Sequence, residues 1–197
     1  MIKIAHRINS IRELKNLPPG YGVEVDVRHD NRAGQLYLNH DLGAGEDLEE
    51  YLKNFRHRFI IFNIKEAGIE QRCINLASKY NIAKQNYFLL DVEFPYLYNA
   101  SRKMGVKEIA ARFSEAEPIE FALAQKGFVD WVWIDTNTKL PLDQIIVKKL
   151  IGFKTCLVSP DRWGRADDIA GYRQKMESLN FKPDAVMCGI EYINLWD

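Results

Sequence analysis

Ile2-Lys3-Ile4-Ala5-His6-Arg7-Ile8-Asn9 is the stretch on which the fold turns: four strand-like residues run straight into a polar turn without glycine. An open doubly wound sheet announces itself here with a Gly-rich phosphate turn after its first strand, and His6-Arg7-Ile8-Asn9 is not one. Outward from it, Ser10 and Glu13 have the spacing of a helix capping box, and Pro18-Pro19-Gly20 stops that helix. The strand-then-helix rhythm repeats to the end of the chain. Strands are predicted at 23–27, 59–64, 87–92, 109–113, 128–134, 153–158 and 184–188. Helices are predicted at 46–55, after Gly68, at 95–104, from the Ser114 capping box to 126, from Pro141 to 150, and at 166–179. A turn at Asn31 to Gly34 leads into a further strand at 35–39. Eight short apolar strands with helices between them require parallel pairing with the helices outside. The closed solution is a (β/α)8 TIM barrel, one α/β domain over residues 1–197 with short loops.

Composition narrows the function. Lys and Arg number 27 against 27 Asp and Glu, so the formal net charge is zero, which argues against a protein held to nucleic acid by phosphate neutralisation. No apolar run approaches the roughly 20 residues that span a bilayer, so no membrane span is expected. The N-terminus has no long apolar core and no Ala-x-Ala cleavage pattern, which predicts a cytoplasmic protein. Cys73, Cys156 and Cys188 are far apart and odd in number, and read as buried small hydrophobes rather than a disulfide frame or zinc site.

In a parallel barrel, chemistry collects at the carboxyl ends of the strands. Reading those ends yields His6 and Arg7; Glu24, Asp26 and Arg28; His40 and Asp41; Asn63 and Lys65; Asp91 and Glu93; Arg112, Asp135 and Lys154. Val23-Glu24-Val25-Asp26-Val27 alternates without a break, so both carboxylates share one face of the strand. A hairpin strand half in water has the same pattern. In a barrel the valines pack on helices, both acids point inward, and like charges so close require a cation. Carboxylates with some water suit Mg2+ or Ca2+ better than zinc. His6 and His40 flank this acidic pair, and phosphodiester cleavage needs one group to take a proton and another to give one. Arg7 and Lys65 are candidate phosphate holders, and His57 reads as a solvated residue at a helix end. Trp131 and Trp133 serve either as a stacking wall or as barrel filling.

Taken in order, His6-Arg7, Glu24-x-Asp26, His40-Asp41 and Asn63-Ile64-Lys65 resemble the motifs of the glycerophosphodiester phosphodiesterase family, one of the phospholipase-C-like barrels. The resemblance covers about the first 65 residues. It implies an acid/base pair at His6 and His40, with His6 the base and His40 the acid. It also implies a divalent cation, Mg2+ or Ca2+, on Glu24, Asp26 and the position of Asn63, and phosphate contacts from Arg7 and Lys65. The implied reaction is hydrolysis of a small phosphodiester, with the substrate's own hydroxyl attacking phosphorus first. Two departures stand out. Ile8 replaces the glycine that follows His-Arg in the family, and Asn63 replaces its third acidic ligand, leaving Glu66, Asp91 or Glu93 as substitutes. The substrate-recognition loop of the family is largely absent. Two functions follow: a metal-dependent phosphodiesterase, for a substrate carrying a sugar or lipid-derived head group, or a relative that binds a phosphorylated ligand or partner without turnover.

Overall fold

The computed structural model describes residues 1–30 and 34–197. Eight parallel strands form a ring: β1 (Ile2–Ala5), β2 (Gly22–Asp30), β5 (Phe59–Ile64), β6 (Tyr87–Leu90), β7 (Ala110–Phe113), β8 (Trp131–Ile134), β9 (Lys154–Val158) and β10 (Ala185–Cys188). β1 pairs with both β2 and β10, so the two ends of the chain close the ring. The seam between β6 and β7 is the loosest, held by the Leu89–Ile109 bridge and a 2.9 Å bond from the Leu89 N–H to the Glu108 carbonyl. This is the expected barrel.

β2 has nine residues and serves two pairings. Gly22 to Val27 run parallel to β5, while Val27 to Asp30 turn outward and pair antiparallel with β3 (Gln35–Leu38), which carries β4 (Glu46–Asp47) on its far edge. The barrel reading therefore holds for Val23 to Val27, all of them buried, and the antiparallel hairpin starts only at Val27 and runs on through the residues beyond it. Asn31 to Ala33 of the expected turn lie outside the described residues.

The alternation of β2 decides where its side chains go. Val23, Val25 and Val27 pack outward with helix residues such as Leu14, Leu48, Leu52 and Cys73. A separate apolar plug of Ile4, Phe59, Ile61, Phe88, Trp131 and Met187 fills the barrel. Phe88 and Trp131 are 4.9 Å apart between ring centroids, so Trp131, with Trp133 buried beside it, is filling rather than a stacking wall. All three cysteines are free and buried, as expected.

The helices are α1 (Ile11–Asn16), α2 (Leu48–Asn54), α3 (Glu70–Lys79), α4 (Phe94–Lys103), α5 (Ile119–Ala124), α6 (Gln144–Leu150) and α7 (Asp168–Ser178). The Ser10–Glu13 capping box is present in full. Three starts differ from expectation because another bond competes. Glu46 and Asp47 pair with β3 before Asp47 caps α2. Ser114 caps only a turn through the Glu117 N–H, and α5 begins past Pro118. α6 waits for Asp143, whose carboxylate accepts from the Ile146 N–H, instead of opening at Pro141. Among the described residues no helix is long and apolar enough to cross a membrane.

Candidate active site at the barrel mouth

The carboxyl ends of β1, β2 and β5 bring together His6, Arg7, Glu24, Asp26, Asn63 and Lys65. Glu24 and Asp26 are 1% and 0% exposed, and a carboxylate without partners at that depth would be severely destabilising. Each of their oxygens has a donor. Glu24 Oε1 accepts from Asn63 Nδ2 at 2.9 Å, and Oε2 from the Arg7 backbone N–H at 2.8 Å. Asp26 Oδ1 lies 3.0 Å from Lys65 Nζ and 3.4 Å from Asn63 Nδ2. Asp26 Oδ2 accepts from Asn9 Nδ2 at 2.9 Å and faces the Arg7 guanidinium at 3.8 Å.

The loop after β1 is shaped for this contact. Arg7 takes a left-handed backbone (φ 54°), a conformation that costs a non-glycine residue of order 1–3 kcal/mol and turns its N–H onto Glu24. Asn9 returns the Asp26 bond by accepting from the Asp26 N–H, and the buried Tyr51 hydroxyl donates to the Ile8 carbonyl.

The environment separates the protonation states. Burial first, then the charge of Asp26, push the Glu24 carboxyl up to about 7, against the pull of the Asn63 and Arg7 bonds. Burial, then the cations Arg162 and Arg7, push the His6 imidazole down to about 3. His6 is therefore neutral at physiological pH, with Nε2 3.9 Å from Glu24 Oε2 and a free lone pair available to a proton donor. Arg162 was not among the residues read from the sequence. It sits in the short turn after β9 (Pro160–Trp163), and its only sequence signal is a cation a few residues past a strand's carboxyl end.

His40 is placed differently. Its loop is tied to the site, since the Asn39 N–H donates to the Asp26 carbonyl at 3.1 Å and Arg28 Nη2 donates to the His40 carbonyl at 2.8 Å. Its ring is partly exposed, more so than that of His6, with Nδ1 3.0 Å from Asp41 Oδ1. The other candidates have different employment. Arg28 also binds Glu66 at 3.2 Å. Arg112 gathers Asp91, Glu117 and Asp135 at 2.6, 2.7 and 2.9 Å on the far side of the mouth. Glu93 ends the loop before α4 without bonding the helix N-terminus. Lys154 opens β9 and so lies at the amino end of the barrel, where its ammonium sits over Trp131. His57 is not solvated: burial pushes its imidazole down and Nε2 bonds the Leu17 carbonyl. A cavity of about 810 Å3 beside Met1, Lys3, Arg173 and Trp196 also lies at the amino end, away from the acid pair.

No family model and no curated protein matches the sequence. Solved structures do match the shape. A glycerophosphodiester phosphodiesterase from Agrobacterium tumefaciens aligns over 98% of this chain and 99% of its own, with a TM-score of 0.66 at 14% identity. The chain has the glycerophosphodiester phosphodiesterase fold. A glycerophosphoryl diester phosphodiesterase from Parabacteroides distasonis aligns over 98% of this chain and 84% of its own, at TM-score 0.67 and 11% identity. An Oleispira antarctica phosphodiesterase, solved with its product sn-glycerol-3-phosphate, aligns over 100% and 95%, at TM-score 0.61 and 16% identity.

The divalent cation that this fold family implies can be tested against the residues present. Among the described residues no group of three or more acidic, histidine or cysteine side chains could hold a metal ion. Glu24 and Asp26 supply two acids, and the third position presents an amide NH2 that already donates to both. Glu66 and Asp91, two of the candidate replacements, are committed to Arg28 and Arg112. The donor set therefore does not fit Mg2+ or Ca2+, which demand several oxygen ligands pointing at one centre.

Proposed function

We propose that the protein is a phosphoric diester hydrolase for a small, glycerophosphodiester-like substrate with a hydroxyl group next to the ester. The observation that carries this reading is the convergence, on that fold, of a neutral imidazole with lysine and arginine cations around a buried acid pair. Arg7 and Lys65 would hold the non-bridging phosphate oxygens, since both stand at the rim of the pair and Arg7 remains partly exposed. His6 would take the proton of the substrate hydroxyl as its oxygen attacks phosphorus. The bond from phosphorus to the leaving oxygen would then break, and that oxygen would take a proton from His40, oriented by Asp41. The alcohol departs at that point, and water would open the resulting cyclic ester with the proton roles reversed, giving a phosphomonoester with its hydroxyl restored.

The exposed setting of the His40 ring and the amide at Asn63 favour a second reading, in which the mouth binds a phosphorylated ligand without turnover. One experiment separates the two. Hydrolysis of alkyl and chromogenic aryl phosphodiesters is followed with wild type, His6→Ala and His40→Ala, while binding of sn-glycerol 3-phosphate is measured alongside. The hydrolase reading expects turnover that falls in both variants while binding survives. An aryl leaving group, which needs less protonation, should rescue His40→Ala more than His6→Ala. Absence of turnover across the panel with retained glycerol 3-phosphate binding would establish the second reading instead.

A further inference from the structure

We infer that Lys65 supplies, from within the chain, the positive charge that a divalent cation would bring to the acid pair, so that phosphate recognition at this mouth is independent of Mg2+ and Ca2+. The inference rests on the phosphate-handling site proposed above and concerns what compensates its charge. Lys65 Nζ is 3.0 Å from Asp26 Oδ1, with the lysine side chain only 18% exposed, so the ammonium is built into the site rather than draped over it. Arg7 adds its backbone N–H on Glu24 and its guanidinium near Asp26. The Asp26 carboxylate thus faces two cations of the same chain, Lys65 and Arg7, while Glu24 beside it is held by the Asn63 amide and the Arg7 N–H, and the pair needs no ion from solution to be compensated.

Asn63 completes the arrangement. Its Nδ2 bridges Glu24 and Asp26, whereas its Oδ1 is buried without a hydrogen-bond partner. A cation contacting Glu24 and Asp26 at the 2.0–2.6 Å of Mg2+ or Ca2+ coordination would have to displace both the amide and the ammonium. It would also require the amide to rotate and present Oδ1. The chain spends that position on a donor, which is consistent with a positive charge already in place. A carboxylate at residue 63, by contrast, would need a further cation.

Isothermal titration of the full-length wild-type protein with MgCl2 and with CaCl2, after chelator treatment, tests the inference without reference to activity. The expected result is no saturable binding up to about 10 mM, a concentration that loads even weak Ca2+ sites with Kd near 10−3 M. Affinity for sn-glycerol 3-phosphate should be the same with and without chelator. Lys65→Met should weaken it about 10- to 100-fold, the loss expected for one charge-assisted hydrogen bond, and Lys65→Arg should restore part of it. Should Lys65→Met fail to fold, the double variant Asp26→Asn with Lys65→Met removes the uncompensated charge. In the background of that double variant, Asn63→Asp should gain measurable Ca2+ binding. Saturable Mg2+ or Ca2+ binding by wild type, or glycerol 3-phosphate binding that disappears with chelator, would overturn the inference. Hydrolysis that occurs only with added cation would overturn it while upholding the hydrolase reading. Absence of phosphodiester turnover in every condition would defeat that reading, and the cation titration would still decide the inference about Lys65 by itself.

Discussion

The two sides of the barrel mouth solve the problem of charge in opposite ways. On the β1–β2–β5 side, two carboxylates lie at the centre and cations stand at the rim; on the β7–β8 side, Arg112 lies at the centre and Asp91, Glu117 and Asp135 surround it. The first arrangement leaves a neutral histidine and partly exposed cations facing the opening. The second is a cluster of fixed partners: Asp135 also takes the Thr136 N–H and the Trp163 indole N–H, and although burial opposes it, Asp91 and Glu117 push the Arg112 guanidinium's proton affinity further up. The first side keeps groups that can still change partners, whereas the three carboxylates of the second all hold the same arginine. The β7–β8 cluster also lies beside the loosest seam of the ring, where a clamp contributes most to holding neighbouring strands together.

The comparison breaks first on catalysis. His6→Ala should lower turnover of a phosphodiester about 10²–10⁴-fold with the fold intact, the usual range for a lost general base. Arg112→Met should leave kcat within a few-fold of wild type. Steady-state kinetics on both variants checks this, and equal losses would erase the division of labour between the two sides.

On stability the order is the same but the gap is narrower. Lys65→Met leaves Asp26 buried beside Glu24, and breaking a buried pair by removing one partner costs about 3–5 kcal/mol. Arg112→Met faces acids of which Asp91 and Glu117 are about a third exposed, so solvent screens them and the expected loss is smaller, about 1–3 kcal/mol. Urea denaturation of the two variants measures both, and a larger loss at Arg112 would mean that the seam rather than the acid pair is the weaker point of the ring.

The smallest effect is a pH slope confined to one side. The Glu24 carboxyl is held up at about 7 from an ordinary 4.5, so between these values the folded protein keeps a proton that the unfolded chain has lost. Its contribution is therefore fully present below pH 4.5 and is lost as pH rises through 7. His6, lowered from 6.5 to about 3, gives the opposite slope, its contribution being present above 6.5 and lost as pH falls toward 3. The Glu24 effect is read most cleanly from pH 6.5 to 8. There Glu24→Gln should remove the decline and leave the protein about 1–3 kcal/mol more stable than wild type at pH 8. Denaturant midpoints across that range provide the check, and a wild type whose stability is flat there would mean that Lys65 and Asn63 compensate Glu24 more fully than burial opposes it.

The barrel was legible because its signals are local. Each strand announced itself within four to seven residues, and the alternation Val23-Glu24-Val25-Asp26-Val27 put both acids on one face of β2 before any partner strand was known. Helix starts were less legible wherever a competing bond was distant, as at Glu46, which pairs with Leu38 of β3 instead of opening α2. Within the site, the acids, His6, Arg7, Asn63 and Lys65 could all be found by reading strand ends. Arg162 could not, because its effect on His6 joins the β9 and β1 ends through space.

By itself, the sequence determined most of the residues that reach the mouth, with Lys154 wrongly among them and Arg162 missed, since strand periodicity and the order of strand ends depend on neighbours in the chain. Only the tertiary structure decided what each of them does there. Asn9, Asn63 and Lys65 find the acid pair across 17 to 39 positions, and whether an amide donates or accepts, or a lysine holds a carboxylate or points to solvent, depends on which groups folding places opposite it. A metal position and a self-neutralised pair differ by a single side chain in the sequence, Asn63, and by the donor assigned to each carboxylate oxygen in the fold.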